Sequence, residues 1–214
     1  MRRLMSFSIA CLVVVLVASA AAAQELAAIQ LPAPQTEGGK PLMQALKLRA
    51  TARAFAPDAL PKQTLSNLLW AAWGINRADS GKRTAPSARN WQEIDVLVVN
   101  ATGTYVYDAS RHALTPLAAG DLRALAGTQD FVKDAPVHLV YVADTSRMQG
   151  GSDAESMAYA DAAFIAQNVY LFCASEGLAT VVRASVDRPA FAKAAKLRES
   201  QLVVFAQTVG FPKK

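Results

Sequence analysis

The chain has 214 residues, with 22 Lys and Arg against 17 Asp and Glu, a net charge of +5. The basic residues are scattered rather than drawn into a stripe, which argues against a nucleic-acid surface. Only two cysteines occur, too few for a disulfide framework.

The first residues read as a secretory signal peptide. Arg2 and Arg3 form a positive start, Ile9 to Val17 is apolar, and Ala18 to Ala23 is a run of small residues suited to signal peptidase. Cleavage is expected after Ala23. The apolar run is shorter than the roughly 20 residues of a membrane span, so no stable insertion is expected. Cys11 lies inside that run, not after it, which excludes a lipoprotein site there. A periplasmic or secreted protein follows. Arg2-Arg3-Leu4-Met5 resembles a twin-arginine signal, whereas the apolar stretch after it favours the general secretory route. Without residues 1–23, 191 residues remain, with a net charge of +3 and the single cysteine Cys173. That length suits one domain with its own core. Cys173, in an apolar stretch, reads as a buried small residue.

Residues 24–40 hold Pro32, Pro34, Gly38 and Gly39 and read as an extended arm. Pro41 to Arg49 is a predicted helix, and Pro61 to Trp73 a stronger one, with Leu65, Leu68, Leu69, Ala72 and Trp73 at three- and four-residue spacing. Gly74 marks its end. Ile94 to Val99 and Thr104 to Tyr107 are predicted strands around an Asn100–Gly103 turn. Asp121 to Ala126 reads as a short helix and Val137 to Val142 as a strand. Met148 to Asp153 reads as a mobile loop. Ser156 to Ser175 is the longest helical stretch, mostly apolar and therefore central, with Gly177 as its stop. Ala179 to Arg183 is a short strand, Arg188 to Lys196 a helix, and Gln201 to Val209 a last strand. Helices and strands without a regular βαβ repeat indicate α+β. No internal repeat or interior linker is visible, so 41–214 forms one domain.

His112 and His138 lack partners at metal-ligand spacing, so no metal site is expected. No nucleophile elbow and no glycine-rich phosphate loop appears. An enzyme with this inventory would borrow its chemistry from a cofactor.

Three clusters could hold one. In Arg49-Ala50-Thr51-Ala52-Arg53-Ala54-Phe55, an extended backbone would point Arg49, Thr51 and Arg53 the same way. Two guanidiniums beside a hydroxyl suit a phosphate and a carbonyl edge; they equally suit a solvated basic helix end. Gly81 to Gln92 lies between a helix and a strand, and its small residues would let a ligand approach the backbone; it also suits an ordinary polar loop. Lys213 and Lys214 follow the last strand, where they could neutralise a phosphate or form a solvated tail.

Taken in order, these clusters resemble the nitroreductase family of flavoproteins. Arg49, Thr51, Arg53 and Phe55 match its Arg-x-Ser/Thr-x-Arg/Lys-x-Phe segment. Pro86, Ser87, Ala88, Asn90 and Gln92 match its Pro-Ser-Ala-x-Asn-x-Gln loop. Gln167, Asn168, Leu171, Gly177 and Leu178 match its core helix and following turn, and Gly210-Phe211-Pro212 its Gly-Tyr-Pro ending. The resemblance spans about residues 41–214. Leu69 to Arg77 is similar to the branch with thiazoline- and oxazoline-oxidising enzymes.

The resemblance implies a nitroreductase-like fold, a central and mainly antiparallel sheet flanked by helices with a long buried central helix. It also implies a homodimer with two FMN sites at the subunit interface, and ping-pong hydride transfer on a nitro, quinone or ring-type small molecule. Arg49 and Thr51 would hold the phosphate and ribityl chain. Arg53 would face the pyrimidine edge and stabilise charge developing there, a catalytic role. Ser87, Ala88, Arg89 and Asn90 would line the ribityl and ring side. Backbone at Val182, Arg183 and Ala184 would approach the redox edge. Lys213 or Lys214 would complete the phosphate site, where many members use a longer basic arm. The family's Pro-Trp after Gln is replaced by Glu93-Ile94. Trp91, Phe131 and the Met148–Asp153 loop are expected walls of the substrate pocket. Export separates such an enzyme from NADH and NADPH, so another electron-donor partner enters as an expectation. A non-catalytic FMN or ligand-binding module on the same fold is the alternative.

Overall fold

The computed structural model describes residues 26–150 and 152–214. The signal-peptide reading of residues 1–23 lies outside the described residues.

Seven strands form one sheet in the order β1-β6-β5-β4-β7-β9-β8, every neighbouring pair antiparallel. They are β1 (Ile29–Gln30), β4 (Ile94–Asn100), β5 (Gly103–Asp108), β6 (Ala113–Ala119), β7 (Val137–Asp144), β8 (Ala179–Arg183) and β9 (Gln201–Gly210). β2 (Ile75–Arg77) and β3 (Lys82–Arg83) form a separate small hairpin. The helices are α1 (Leu42–Leu48), α2 (Lys62–Trp73), α3 (Ala154–Glu176) and α4 (Arg188–Ala194).

Period-two alternation sorts the central strands onto two cores. Ile94, Val96 and Val98 of β4, with Leu139, Tyr141 and Ala143 of β7, face the larger core, which α2 and α3 cover. Leu97, Val99, Val140 and Val142 face a second core closed by Phe191 of α4. β7 is therefore buried along its whole length. Covering both faces explains its nearly unbroken apolar sequence.

α3 buries Ala158, Ala162, Ile165, Ala166, Val169 and Cys173, a stripe at three- and four-residue spacing. Its other side leaves Met157 and Phe164 exposed, the latter by 50%. The helix is central, but in one chain only half of its circumference is covered. Gly177 ends it at φ 71°, the left-handed conformation glycine adopts freely. Gly74 ends α2 for a different reason. Its backbone is extended, and a Cβ there would sit 2.4 Å from the Trp70 ring.

Several local expectations shift. β6 went unrecognised because Ala-Leu-Thr-Pro-Leu-Ala-Ala carries a proline and little β-branching. Pro116 is tolerated because β1 pairs only with Ala113 and Leu114, leaving the strand edge beyond them without a ladder to break. The stretch expected as a helix at 121–126 is a single 3-10 turn, Arg123–Leu125. The described part of the arm, residues 26–40, is extended but docked. Leu31 is buried, and Ser66 Oγ donates to the Pro32 carbonyl at 2.6 Å. Met148, at the start of the expected mobile loop, is buried too.

Candidate functional site

The segment after α1 runs extended between β8 and the chain end. Ala52 N–H donates to Thr180 O at 3.0 Å, Ala56 N–H to Phe211 O at 2.9 Å, and Lys213 N–H to Ala54 O at 3.2 Å. Phe55 and Pro212 form an antiparallel bridge. The first and third basic clusters are thus adjacent.

Tyr170 of α3 organises this region. Its hydroxyl accepts the Val182 N–H at 3.1 Å and lies 3.1 Å from Thr51 Oγ1. Having accepted once, it can donate its own proton to Thr51. The Arg49 guanidinium lies over the Tyr170 ring, 5.3 Å from its centre, within cation–π reach. A cavity of about 300 Å³ opens here, lined by Ala166, Gln167, Tyr170, Val182, Ala184 and Phe205, with Arg183. Arg53 is exposed nearby in sequence, with no carboxylate partner among the described residues.

Lys213 and Lys214 line a neighbouring groove of about 720 Å³, with Asp58, Gly177 and Phe211. Their backbone joins the first cluster. Neither lysine lines the Tyr170 cavity.

The second cluster lies elsewhere on α3. Ala88 N–H donates to Asp161 Oδ2 at 2.7 Å. Asp161 and Tyr170 are nine residues apart, or ~13 Å along the helix. The loop is tightly ordered. Ser87 Oγ accepts Gln92 N–H at 3.0 Å, and Gln92 Oε1 accepts Arg83 Nε–H at 2.7 Å. Arg89, Asn90 and Gln92 all have positive φ, at 50°, 57° and 49°. Three non-glycine residues in the left-handed region within four positions store strain, typically of order 1–3 kcal/mol each. Such strain persists only where the surroundings enforce it. Ser87 and Asn90 line a cavity of about 200 Å³ with Arg77, Lys82 and Arg83.

Within one chain, the two aromatic residues expected as pocket walls lie away from the Tyr170 cavity. Phe131 packs on Phe55, ring centres 5.8 Å apart, and joins the cluster of Ala179 and Val181. Those residues alternate with Val182 along β8, so Phe131 lies on the opposite sheet face from the Tyr170 cavity. Trp91 packs on the main core beneath Arg89, its buried indole N–H unpartnered. Arg183 likewise sends its side chain away from the cavity. Its Nη1 donates to Ala126 O at 2.8 Å and its Nη2 to Thr208 Oγ1 at 2.7 Å. Burial holds its pKa down, at about 10. His138 beside it donates Nε2–H to Val132 O at 2.8 Å. Burial and the Arg183 charge press its pKa to about 3, so it stays neutral. Burial pushes the Cys173 thiol up, which leaves it unreactive.

Two groups escaped the motifs altogether. Tyr170 sits inside the apolar helix without a polar pattern around it. Asp161 lies in the same helix, and its partner Glu93 is visible in sequence only as the residue standing where the family has Pro-Trp.

These features define an antiparallel α+β domain with a cavity at its sheet edge, lined by Tyr170 and the Val182–Ala184 stretch of the edge strand. The chain belongs to the nitroreductase family, whose profile matches residues 46–211, and it is an oxidoreductase. It is similar to a solved candidate nitroreductase of Ralstonia eutropha JMP134, 43% identical, covering 87% of this chain and 90% of that one with a TM-score of 0.84. A candidate nitroreductase of Methanocaldococcus jannaschii is 29% identical over 146 residues, 62% of this chain and 73% of its own. A solved candidate nitroreductase of Desulfovibrio desulfuricans, in complex with FMN, shares the fold at 21% identity and a TM-score of 0.60, covering 83% and 89% of the two chains.

Proposed function

We propose that the protein is an exported, FMN-dependent oxidoreductase, active as a homodimer on a nitro, quinone or ring-type small molecule. The observation that carries this is the Tyr170 junction. It ties Thr51 and Arg49 to the Val182–Ala184 backbone at an open cavity.

The residues fit an FMN. Arg49 and Arg53 bring positive charge unopposed by carboxylates among the described residues, as a phosphate and an electron-rich ring require. A cavity of about 300 Å³ is at the small end for a ligand site, consistent with one half of a shared site. Exposed Leu42, Met43 and Leu46 on α1 and Met157 and Phe164 on α3 offer an apolar surface for a second copy. The partner's 86–92 loop would then complete the site that its own chain holds ~13 Å away.

Bound FMN would accept a hydride and pass it to a second substrate. Arg49 and Thr51 would hold its phosphate and ribityl chain, with Lys213 or Lys214 adding charge. Arg53 would offset negative charge developing on the ring. Tyr170 fixes Thr51, and Ser87, Ala88, Arg89 and Asn90 would shape the far wall. Residues 1–23 support export, and a donor other than NADH or NADPH accompanies that reading.

The test is the purified protein. A yellow protein that holds FMN and bleaches with an anaerobic electron donor supports the proposal. A protein that refuses added FMN sinks it, and one that holds FMN no donor can reduce leaves only a binding module.

A further inference from the structure

Glu93 follows the strained loop and begins β4. Its side chain is completely buried, yet neither carboxyl oxygen makes a well-formed hydrogen bond. A buried carboxylate without partners is too costly to persist. The group within hydrogen-bonding reach is another buried carboxyl, that of Asp161 on α3. Asp161 is the residue that accepts the Ala88 N–H. Among the described residues, the cation facing the pair is Arg147, from the turn after β7. It is committed to Gln92 O at 3.1 Å and Asp95 Oδ1 at 2.7 Å, with Asp144 3.6 Å away. With that cation already paired, the buried Glu93 carboxyl beside a second buried carboxyl is held in its protonated form.

We propose that Glu93 and Asp161 share one proton, and that this proton positions the 86–92 loop for cofactor binding. Glu93 carries the proton and donates it to Asp161. Asp161 accepts the Ala88 N–H at the turn where the left-handed residues begin. When the proton leaves to water, the buried Glu93 carboxylate loses the hydrogen that joined it to Asp161, and the pair separates. Asp161 releases Ala88, and the strained turn relaxes. Burial first, and the Asp161 charge with it, raise the Glu93 pKa to about 7, so release falls in the neutral range. Glu93 and Asp161 are positioning residues, and their consequence for FMN rests on the reading of this loop as a cofactor contact.

The test is FMN binding by the full chain, followed by quenching of FMN fluorescence. Affinity of the wild type is expected to fall about tenfold between about pH 6 and about pH 8, the loss of one shared proton. Glu93→Gln, which stays neutral and can still donate to Asp161, is expected to bind at the low-pH affinity throughout. A Glu93→Gln protein with the wild-type pH profile overturns the proposal, and so does a wild type whose affinity is flat across that range. Infrared spectra need no cofactor. A protonated carboxyl band that disappears through neutral pH and is missing in Glu93→Gln supports the shared proton, and its absence at pH 6 overturns it. Failure to bind FMN at any pH would overturn the cofactor reading instead, and the infrared result alone would then decide the proton pair.

Discussion

The hydroxyl of Tyr170 lies 3.1 Å from that of Thr51 while accepting the Val182 N–H. One side chain of the central helix therefore couples the first basic segment to the sheet edge.

Tyr170→Phe removes that coupling and leaves Val182 N–H without its acceptor. A hydrogen bond of this kind contributes ~1 kcal/mol, so FMN binding should weaken about five- to tenfold. The fold should survive, because the ring keeps its packing. FMN titration and a thermal melt of the same sample separate the two effects. Unchanged affinity would mean Thr51 needs no fixing.

The Arg183 network predicts a glycine effect. A Cβ on Gly127 would fall 1.7 Å from Arg183 Nη1. Gly127→Ala should displace the guanidinium from Ala126 O and Thr208 Oγ1, costing about 3 kcal/mol as buried polar groups lose partners. Urea unfolding measures it; a loss under ~0.5 kcal/mol would show that Arg183 adapts freely.

Two buried groups oppose each other in pH dependence. His138 titrates near 3 when folded and 6.5 when unfolded, so the unfolded chain binds the extra proton between those values and stability rises with pH there. Glu93 titrates near 7 when folded against 4.5, so the folded chain binds the extra proton and stability falls with rising pH. Between about pH 5 and 6 the two slopes largely cancel. Glu93→Gln should expose the His138 slope, about 1 kcal/mol per pH unit for one proton. Denaturant unfolding at several pH values reads it directly, and parallel wild-type and variant curves would refute it.

The legible part of the molecule was the short-range part. The Arg49–Phe55 alternation, the Pro86–Gln92 loop, the long apolar run of α3 and the Gly177 stop are patterns within a few residues. What went unread depends on distant partners. Tyr170 joins the candidate site only because β8 and residue 51 pack beside it. Phe131 looked like a pocket wall but faces Phe55 across the other side of the sheet. β6 hid behind Pro116, which its unpaired edge tolerates. Glu93 read as a missing Pro-Trp, and only the fold reveals Asp161 opposite it.

Phe164 is half exposed at the middle of α3. Phe164→Arg should keep a folded chain but weaken self-association, since a charge would enter an apolar contact. Light scattering should find mostly single chains, with FMN affinity at least about tenfold lower. A dimer of undiminished affinity would move the interface elsewhere.

The proposed site between two copies is tested most directly by mixing two crippled chains, Arg49→Ala with Arg53→Ala in one and Asn90→Ala with Ser87→Ala in the other. Neither homodimer should retain FMN. A heterodimer keeps one intact site and one doubly damaged one, so it should bind one FMN per two chains. A purified heterodimer that binds none, or a homodimer of either parent that binds fully, would contradict a site built from two copies.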